Sequence, residues 1–448
     1  MDIPRQRPSA KQARSPRRRG AFELAISSRL GKLLARFGVA PRPGSCAGLL
    51  DLAGALLSLR GRASGPALAS AFFDLYEASE ISARQDFLAK LHAVYPHDAA
   101  AIDAAIARWN GSRDEASAQA LNDASESPGL KLINLLNLAP GGTRRLLAMR
   151  TDLLNAPKSG DGGLKALDAE FEGAFTAWFN AGFLEMRRIG WDSPAAVLEK
   201  IIEYEAVHSI AGWDDLRSRV EPADRRCYGF FHPQMPDEPL IFVEVALTSV
   251  LPSAIGDILS EKRRMVEPHR ANCAIFYSIS NCQDGLRGIP FGNFLIKRVV
   301  GLLCEELPQL KTFATLSPVP GFAAWLRQEQ SAAGGDKVSL PVDRELKALA
   351  ARYLVTGRSA KGMVIDPVAR FHLSNGARLD AIHTGADTSA NGLRQSHGVM
   401  VNYVYDIAEI EENHFALAEL GTVAASKPVQ VLAGVEPVKE GKSSKRAA

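Results

Sequence analysis

No stretch of this 448-residue sequence approaches the ~20 consecutive apolar residues that a membrane-crossing helix requires, and Leu240 to Leu247 is interrupted by Glu244 and followed by polar residues. No membrane partner is expected. Cysteine is scarce: Cys46, Cys227, Cys273, Cys282 and Cys304 form no C-x-x-C pair, no zinc-type spacing and, without a secretory signal, no disulfide framework. Free thiols in a reducing compartment and no metal are the expectation. The familiar nucleotide loops are also missing, because Gly285, Gly288 and Gly292 do not fit G-x-G-x-x-G and there is no G-K-[ST]. A nucleotide triphosphatase is disfavoured.

Net acidity or basicity of the body is small as well. The formal charge is +3, but the first nineteen residues hold seven basic side chains (Arg5, Arg7, Lys11, Arg14, Arg17, Arg18, Arg19) against Asp2 alone, so the rest nets −3. A general nucleic-acid surface does not fit a mildly acidic body, and anion binding must be local. Pro4, Pro8 and Pro16 oppose a regular amphipathic helix in that tail, so residues 1–20 are read as a disordered basic tail.

What is present divides the chain. From Phe22 to about Arg219 the sequence is rich in Ala, Leu, Arg and Glu, with helical spacing of apolar residues in Phe72 to Glu80, Phe87 to Val94, Ile102 to Trp109 and Ala195 to Tyr204. After Val220 come short β-type runs, Cys227 to Phe231, Leu240 to Thr248, Ala274 to Ser280 and Thr312 to Leu316. The expected organisation is α+β overall: a helical domain over 21–219, an α/β domain over 220–432, and a frayed polar tail over 433–448. Within Val368 to Ile382, apolar and polar residues alternate ahead of Asn375-Gly376, a pair favoured in type I′ turns. This predicts a hairpin with His372 facing away from the apolar side. A last strand is predicted over Val399 to Tyr405.

Three features carry candidate chemistry. In Ala274 to Val300 an apolar strand leads through Gly285, Gly288 and Gly292 into an amphipathic helix. Glycines that take positive φ, followed by the unpaired N–H groups of a helix start, make a phosphate site. Arg287-Gly288 to Gly292 loosely matches the R/Q-x-x-G-x-G/A pyrophosphate loop of acyl-CoA acetyltransferases. Ser317 lies in Leu316-Ser317-Pro318-Val319-Pro320-Gly321-Phe322, where two prolines limit the backbone; the plain alternative is a turn serine capping the next helix. His372 is the third, and taken alone it reads equally as a satisfied strand histidine. Together a held Ser, a His and a phosphate loop suffice for acid/base work on a thioester.

The segments FFHPQMPDEPLIFVEVALT (Phe230 to Thr248), FYSISNCQDGLRGIPFGNFLIK (Phe276 to Lys297), LSPVPGF (Leu316 to Phe322), DPVARFHLSNGARL (Asp366 to Leu379) and GVMVNYVYD (Gly398 to Asp406) resemble the malonyl-CoA decarboxylase family. YEAVHSIAGWDDLRSRV (Tyr204 to Val220) and NLAPGGT (Asn137 to Thr143) extend the match into the helical half. The resemblance implies an all-helical N-terminal oligomerisation domain, an acetyltransferase-like (GNAT-type) α/β domain and a homotetramer. By position it implies Ser317 and His372 as the catalytic residues. The acyl-CoA loop falls on Arg287, Gly288, Ile289, Pro290, Phe291, Gly292 and Asn293, and Ser278 and Tyr405 take further pocket positions. Some members carry a glutamate where Pro290 stands, so that position receives no proton-transfer role.

The implied reaction is cofactor-independent decarboxylation of malonyl-CoA to acetyl-CoA and CO2, with the coenzyme A thioester as electron sink. Ser317 is expected to orient the carboxylate and His372, titrating near neutrality, to protonate C2. Backbone N–H groups or Tyr405 are candidates for stabilising the oxyanion. An acyl-CoA-dependent acetyltransferase and a non-catalytic malonyl-CoA sensor are the alternatives. With no S-K-L address at Ser443 to Ala448, the expected location is cytoplasmic.

Overall fold

Apolar residues at helical spacing become helices here where a cap is in place. The computed structural model describes residues 45–58, 65–157, 162–289, 293–332 and 342–435; the basic tail, Pro290, Phe291, Gly292 and the chain beyond 435 lie outside them. By contacts, Met1–Trp178 with Asp284–Ile289 forms one unit, and Phe179–Gln283 with Pro290–Ala448 forms a second.

Described helices of the first unit are α1 (Cys46–Leu57), α2 (Gly65–Ala78), α3 (Ile81–Val94), α4 (Ala99–Ser112), α5 (Glu115–Ser125), α6 (Pro128–Leu136), α7 (Gly142–Leu154) and α8 (Gly162–Trp178). Asp114 and Ser117 form a reciprocal capping box at the start of α5, and Ser127 caps α6 with Pro128 in its first turn. Phe72, Phe73, Phe87, Phe171 and Phe175 are fully buried. Each such side chain contributes about 1.5–3 kcal/mol by leaving water. The helices predicted at Phe72, Phe87 and Ile102 are α2, α3 and α4.

The second unit is a mixed eight-stranded sheet covered by helices. Its elements are β1 (Glu185–Ile189), α9 (Ala195–Tyr204), α10 (Trp213–Val220), β2 (Arg225–His232), β3 (Met235–Thr248), α11 (Gly256–Leu259), β4 (Cys273–Asn281), α12 (Asn293–Glu306), β5 (Thr312–Thr315), β6 (Ser317–Pro318), α13 (Phe322–Ala332), α14 (Asp343–Thr356), α15 (Pro367–Ser374), β7 (Arg378–His383), α16 (Ala390–Ser396), β8 (Met400–Tyr405), α17 (Ile410–Leu420) and α18 (Lys427–Ala433). β1 to β4 pair antiparallel in sequence order and β4 pairs parallel with β5. β8 then pairs with β5 near its end, with β6 near its start, and with β7 along its length. The order of helices, then a mixed sheet in which β4 and α12 flank a loop, is the fold class expected.

Two expectations are corrected. The division at Val220 cuts through the sheet unit, because β1 pairs with β2 from Glu185↔Phe231 to Ile189↔Cys227, while Val197, Leu198 and Ile201 of α9 and Leu216 of α10 pack on Cys227, Phe231 and Phe242. Helical spacing identifies α9 as a helix but not the surface it covers. The predicted hairpin around His372 is the helix α15. Asp366 caps it by accepting from Val368 and Ala369 N–H at 2.9 Å each, Pro367 fits its first turn, and Gly376, at φ +80°, follows its C-cap Asn375. Asn375-Gly376 therefore ends a helix instead of turning a hairpin.

Candidate active site

The β4 to β5 ladder runs from Cys273↔Thr312 to Phe276↔Thr315 and then ends, closed by the Leu316 N–H donating to the Phe276 carbonyl at 3.2 Å. Beyond it Ser317 and Pro318 pair with Val401 and Met400 of β8, leaving Tyr277 to Asn281 of β4 without β5 as neighbour. A bulge on the other side of β4 sharpens the divergence. Glu244 opposes Ser278 and Val245 opposes Phe276, so Tyr277 is the extra residue. The gap is a cavity of about 210 Å³ lined on one side by Phe276 to Ile279 and Asn281, and on the other by Ser317, Pro318, Val368, Phe371 and His372.

Ser317 and His372 face each other across 55 residues of chain. The Ser317 hydroxyl donates to Thr315 Oγ1 at 2.8 Å and its Oγ lies 3.2 Å from His372 Nε2. Thr315 Oγ1 also accepts from the Tyr403 N–H at 3.2 Å. On the other ring nitrogen, Nδ1 lies 2.8 Å from the Tyr405 hydroxyl. With the Ser317 proton on Thr315, Nε2–H donates to Ser317 and Nδ1 accepts from Tyr405. The ring is also stacked on Tyr403, centroids 4.8 Å apart. Ser317 is thus a strand residue in a hydrogen-bonded chain, not the cap of α13.

Electrostatics alter one expectation. His372 is 3% exposed, and burial pushes it from 6.5 down to about 3, so the free protein carries a neutral imidazole rather than one titrating near neutrality. Burial raises the Tyr405 phenol well above its usual value, so it too is neutral. Glu244, fully buried, is pushed up to about 8 by burial first and by Glu205 second, against Arg219, whose Nη1 lies 3.5 Å away.

Asp366 couples the segments that carry Ser317 and His372. One oxygen caps α15; the other accepts from Tyr353 Oη at 3.3 Å and from the Gly321 N–H at 3.4 Å, just beyond the Ser317-Pro318 strand. Asp366 is buried, and burial raises its carboxyl above the usual range. The Asp-Pro pair was the available sequence signal for this cap. Thr315, and Glu205 beside Ser278, had no such signal, because their roles come from pairings made only in the fold.

The loop residues behave differently from one another. In the first unit, Arg150 is fully buried and donates to the Gly285 and Arg287 carbonyls at 2.8 and 2.9 Å, and to Asp168 and Glu172. Because a trans peptide holds its C=O and N–H in opposite directions, the Gly288 N–H points away from Arg150. Gly288 has φ +88°, as the loop reading requires. Gly285 does not have positive φ; its Cβ position is 2.2 Å from the Leu147 carbonyl oxygen, so this glycine serves close packing on α7. Arg287 is exposed and paired with Asp284 at 3.3 Å, Ile289 is buried, and Asn293 opens α12. Pro290, Phe291 and Gly292 lie outside the described residues.

Among the described residues no group of three or more His, Cys, Asp or Glu is arranged to hold a metal, and no helix is long and apolar enough to cross a membrane.

Comparison with known proteins places this geometry. The malonyl-CoA decarboxylase C-terminal domain family matches residues 182–340 and 333–446, and the corresponding N-terminal domain family matches 95–179. The chain is similar to the mitochondrial malonyl-CoA decarboxylase of Anser anser anser, 38% identical over 349 residues, which is 68% of each chain. The mouse mitochondrial enzyme is 37% identical over 343 residues, 66% of this chain and 69% of that one. Among solved structures, malonyl-CoA decarboxylase from Agrobacterium vitis aligns with a TM-score of 0.81 at 47% identity, covering 86% of this chain and 99% of that one. The enzyme from Rhodopseudomonas palustris aligns at 0.79 and 45%, covering 87% and 100%.

Proposed function

The chain belongs to the malonyl-CoA decarboxylase family, and from that premise we propose that it is a carboxy-lyase acting on malonyl-CoA, with Ser317 orienting the carboxylate and His372 supplying the proton. The observation that carries the reading is the Ser317–His372–Tyr405 chain opening on one cavity.

In this reading the thioester lies in the gap between the diverging strands. Ser317 exchanges Thr315 for the substrate carboxylate and keeps it out of the thioester plane. The electron pair of the bond from C2 to the carboxylate passes into the thioester, CO2 leaves, and an enolate remains. The thioester is the electron sink, so no further cofactor enters the scheme. His372 Nε2–H protonates C2 while Nδ1 takes the Tyr405 hydroxyl proton; after the products leave, a solvent proton returns to Nε2 and the Nδ1 proton passes back to Tyr405, which restores the starting tautomer. The net reaction consumes one proton and gives acetyl-CoA and CO2. A neutral imidazole suits a donor to an enolate, as it does where a neutral histidine polarises a carbonyl in other enzymes. Gly288 and its neighbours are assigned to the coenzyme A diphosphate, and a homotetramer to the assembly.

The test is incubation with malonyl-CoA alone. Equimolar CO2 and acetyl-CoA without any acceptor are expected. Acceptor-dependent release of free CoA would make the protein an acetyltransferase, and tight binding without turnover would make it a sensor.

A further inference from the structure

On the β4 side of the cavity the polarity of one side chain is fixed from behind. Glu205, the buried C-cap of α9, accepts hydrogen bonds from the Val207 and His208 N–H groups on Oε1 at 2.9 and 2.8 Å. It also accepts from the Ser278 hydroxyl, 2.8 and 2.7 Å from its two oxygens, and from the Ser280 hydroxyl at 3.1 Å. A carboxylate can only accept, and the two backbone N–H groups can only donate. The single proton of Ser278 is therefore committed to Glu205, away from the cavity that Ser278 lines. What the Ser278 hydroxyl has left to offer the cavity is lone pairs.

The bulge at Tyr277 makes this arrangement possible. Directly opposed residues share a face, so pairing Ser278 with Glu244 sets it on the face where Glu205 sits.

We propose that Glu205 is a positioning residue for substrate orientation: by holding Ser278 as an acceptor, it makes that hydroxyl reject the malonyl carboxylate and leaves Ser317 as the hydroxyl that takes it. This rests on the carboxylate role proposed for Ser317. An acceptor facing a carboxylate offers no hydrogen bond, and the Glu205 charge behind it adds repulsion. Ser317, backed by the Nε2–H of His372, is free to turn its own proton to the substrate.

Glu205→Gln reverses this polarity with almost no change of shape. The Val207 and His208 N–H groups keep the amide oxygen where Oε1 is now, which turns the NH2 group to Ser278 and Ser280. Ser278 then accepts from the Gln NH2 group, and its proton, with Oε1 at 2.8 Å as the one acceptor left on Gln, can turn into the cavity instead, giving the carboxylate a false site. A hydrogen bond to a charged group supports a nonproductive mode about tenfold more populated than the productive one. Expected for Glu205→Gln are kcat and KM for malonyl-CoA reduced together by about tenfold, with kcat/KM unchanged. The inhibition constant of acetyl-CoA, which lacks the carboxylate, should not move. Adding Ser278→Ala removes the false site, and kcat should recover relative to Glu205→Gln. A merely structural role predicts lower kcat/KM, no fall in KM and no recovery, and that result overturns the proposal. Ser317→Ala separates the two readings. If it leaves malonyl-CoA turnover intact, the underlying assignment of Ser317 fails. If it impairs turnover while Glu205→Gln has wild-type kcat and KM, only the inference about Glu205 fails.

Discussion

His372 Nδ1 and the Tyr405 hydroxyl lie 2.8 Å apart inside the protein, and with the Ser317 proton on Thr315 the tyrosine donates to Nδ1 while Nε2–H points to Ser317. Tyr405→Phe keeps the ring and removes that partner, so Nδ1 loses its hydrogen-bond donor. A neutral hydrogen bond of this kind contributes about 0.5–1.5 kcal/mol, so kcat should fall about 2- to 12-fold with little change in KM. Wild-type kcat in steady-state assays of the variant would remove Tyr405 from the proton path.

His372→Asn should lower the decarboxylation rate about 10²- to 10⁴-fold, the usual range for losing a general acid. Ser317→Ala should impair turnover yet leave acetyl-CoA binding nearly unchanged, because the product has no carboxylate for Ser317 to hold. Calorimetric titration with acetyl-CoA checks this. A large loss of affinity would make Ser317 structural.

The buried imidazole predicts the pH dependence. With His372 pushed down to about 3, the ring stays neutral across neutrality, and kcat/KM should show no acid limb near 6.5 attributable to it. An inflection near 6.5 that disappears in His372→Gln would contradict this. Stability follows the same sign. The unfolded chain binds a proton at His372 below 6.5 that the folded chain refuses down to about 3, so this contribution is complete above 6.5 and lost as pH falls between those values. Glu244, raised from 4.5 to about 8, acts oppositely: its contribution is complete below 4.5 and lost as pH rises toward 8. Urea unfolding across pH should therefore lose its acid slope partly in His372→Gln and its slope toward pH 8 partly in Glu244→Gln.

Gly285→Ala puts a methyl group 2.2 Å from the Leu147 carbonyl oxygen, a backbone atom that cannot rotate away. Overpacking of this kind costs about 1–3 kcal/mol. A lowered unfolding midpoint in urea is the expected result, and an unchanged one would mean that α7 yields freely.

Most of the strands were legible because they are short runs rich in β-branched and aromatic residues: Cys227 to Phe231, Leu240 to Thr248 and Ala274 to Ser280 lie within β2, β3 and β4. The segment around His372 misled, since an alternation over a few residues is compatible with a short helix when Asp366-Pro367 begins it and Gly376 follows its end. Ser317 and His372 stood out in the sequence and took their roles from the resemblance, which alone supplied Tyr405, and their positions in the fold join them in one hydrogen-bonded chain. Their chemistry was less accessible. The neutral state of His372 depends on burial, and the commitment of Ser278 depends on Glu205, which is 73 residues earlier; neither can be read from a local pattern. Gly285 was read as a ligand-facing glycine because sequence shows that a side chain is absent, not which neighbour needs the space.

The bulge at Tyr277 makes the site a matter of counting. Ironing the bulge out at constant length, so that Tyr277 opposed Glu244, would turn every later side chain of β4 over and bring Ile279 to the face where Ser278 and Ser280 now meet Glu205. Homologues should accordingly keep a serine-type residue opposite the Glu244 position whether or not the bulge residue is present, and a relative whose register sets an apolar residue there would be marked as one that has abandoned the chemistry.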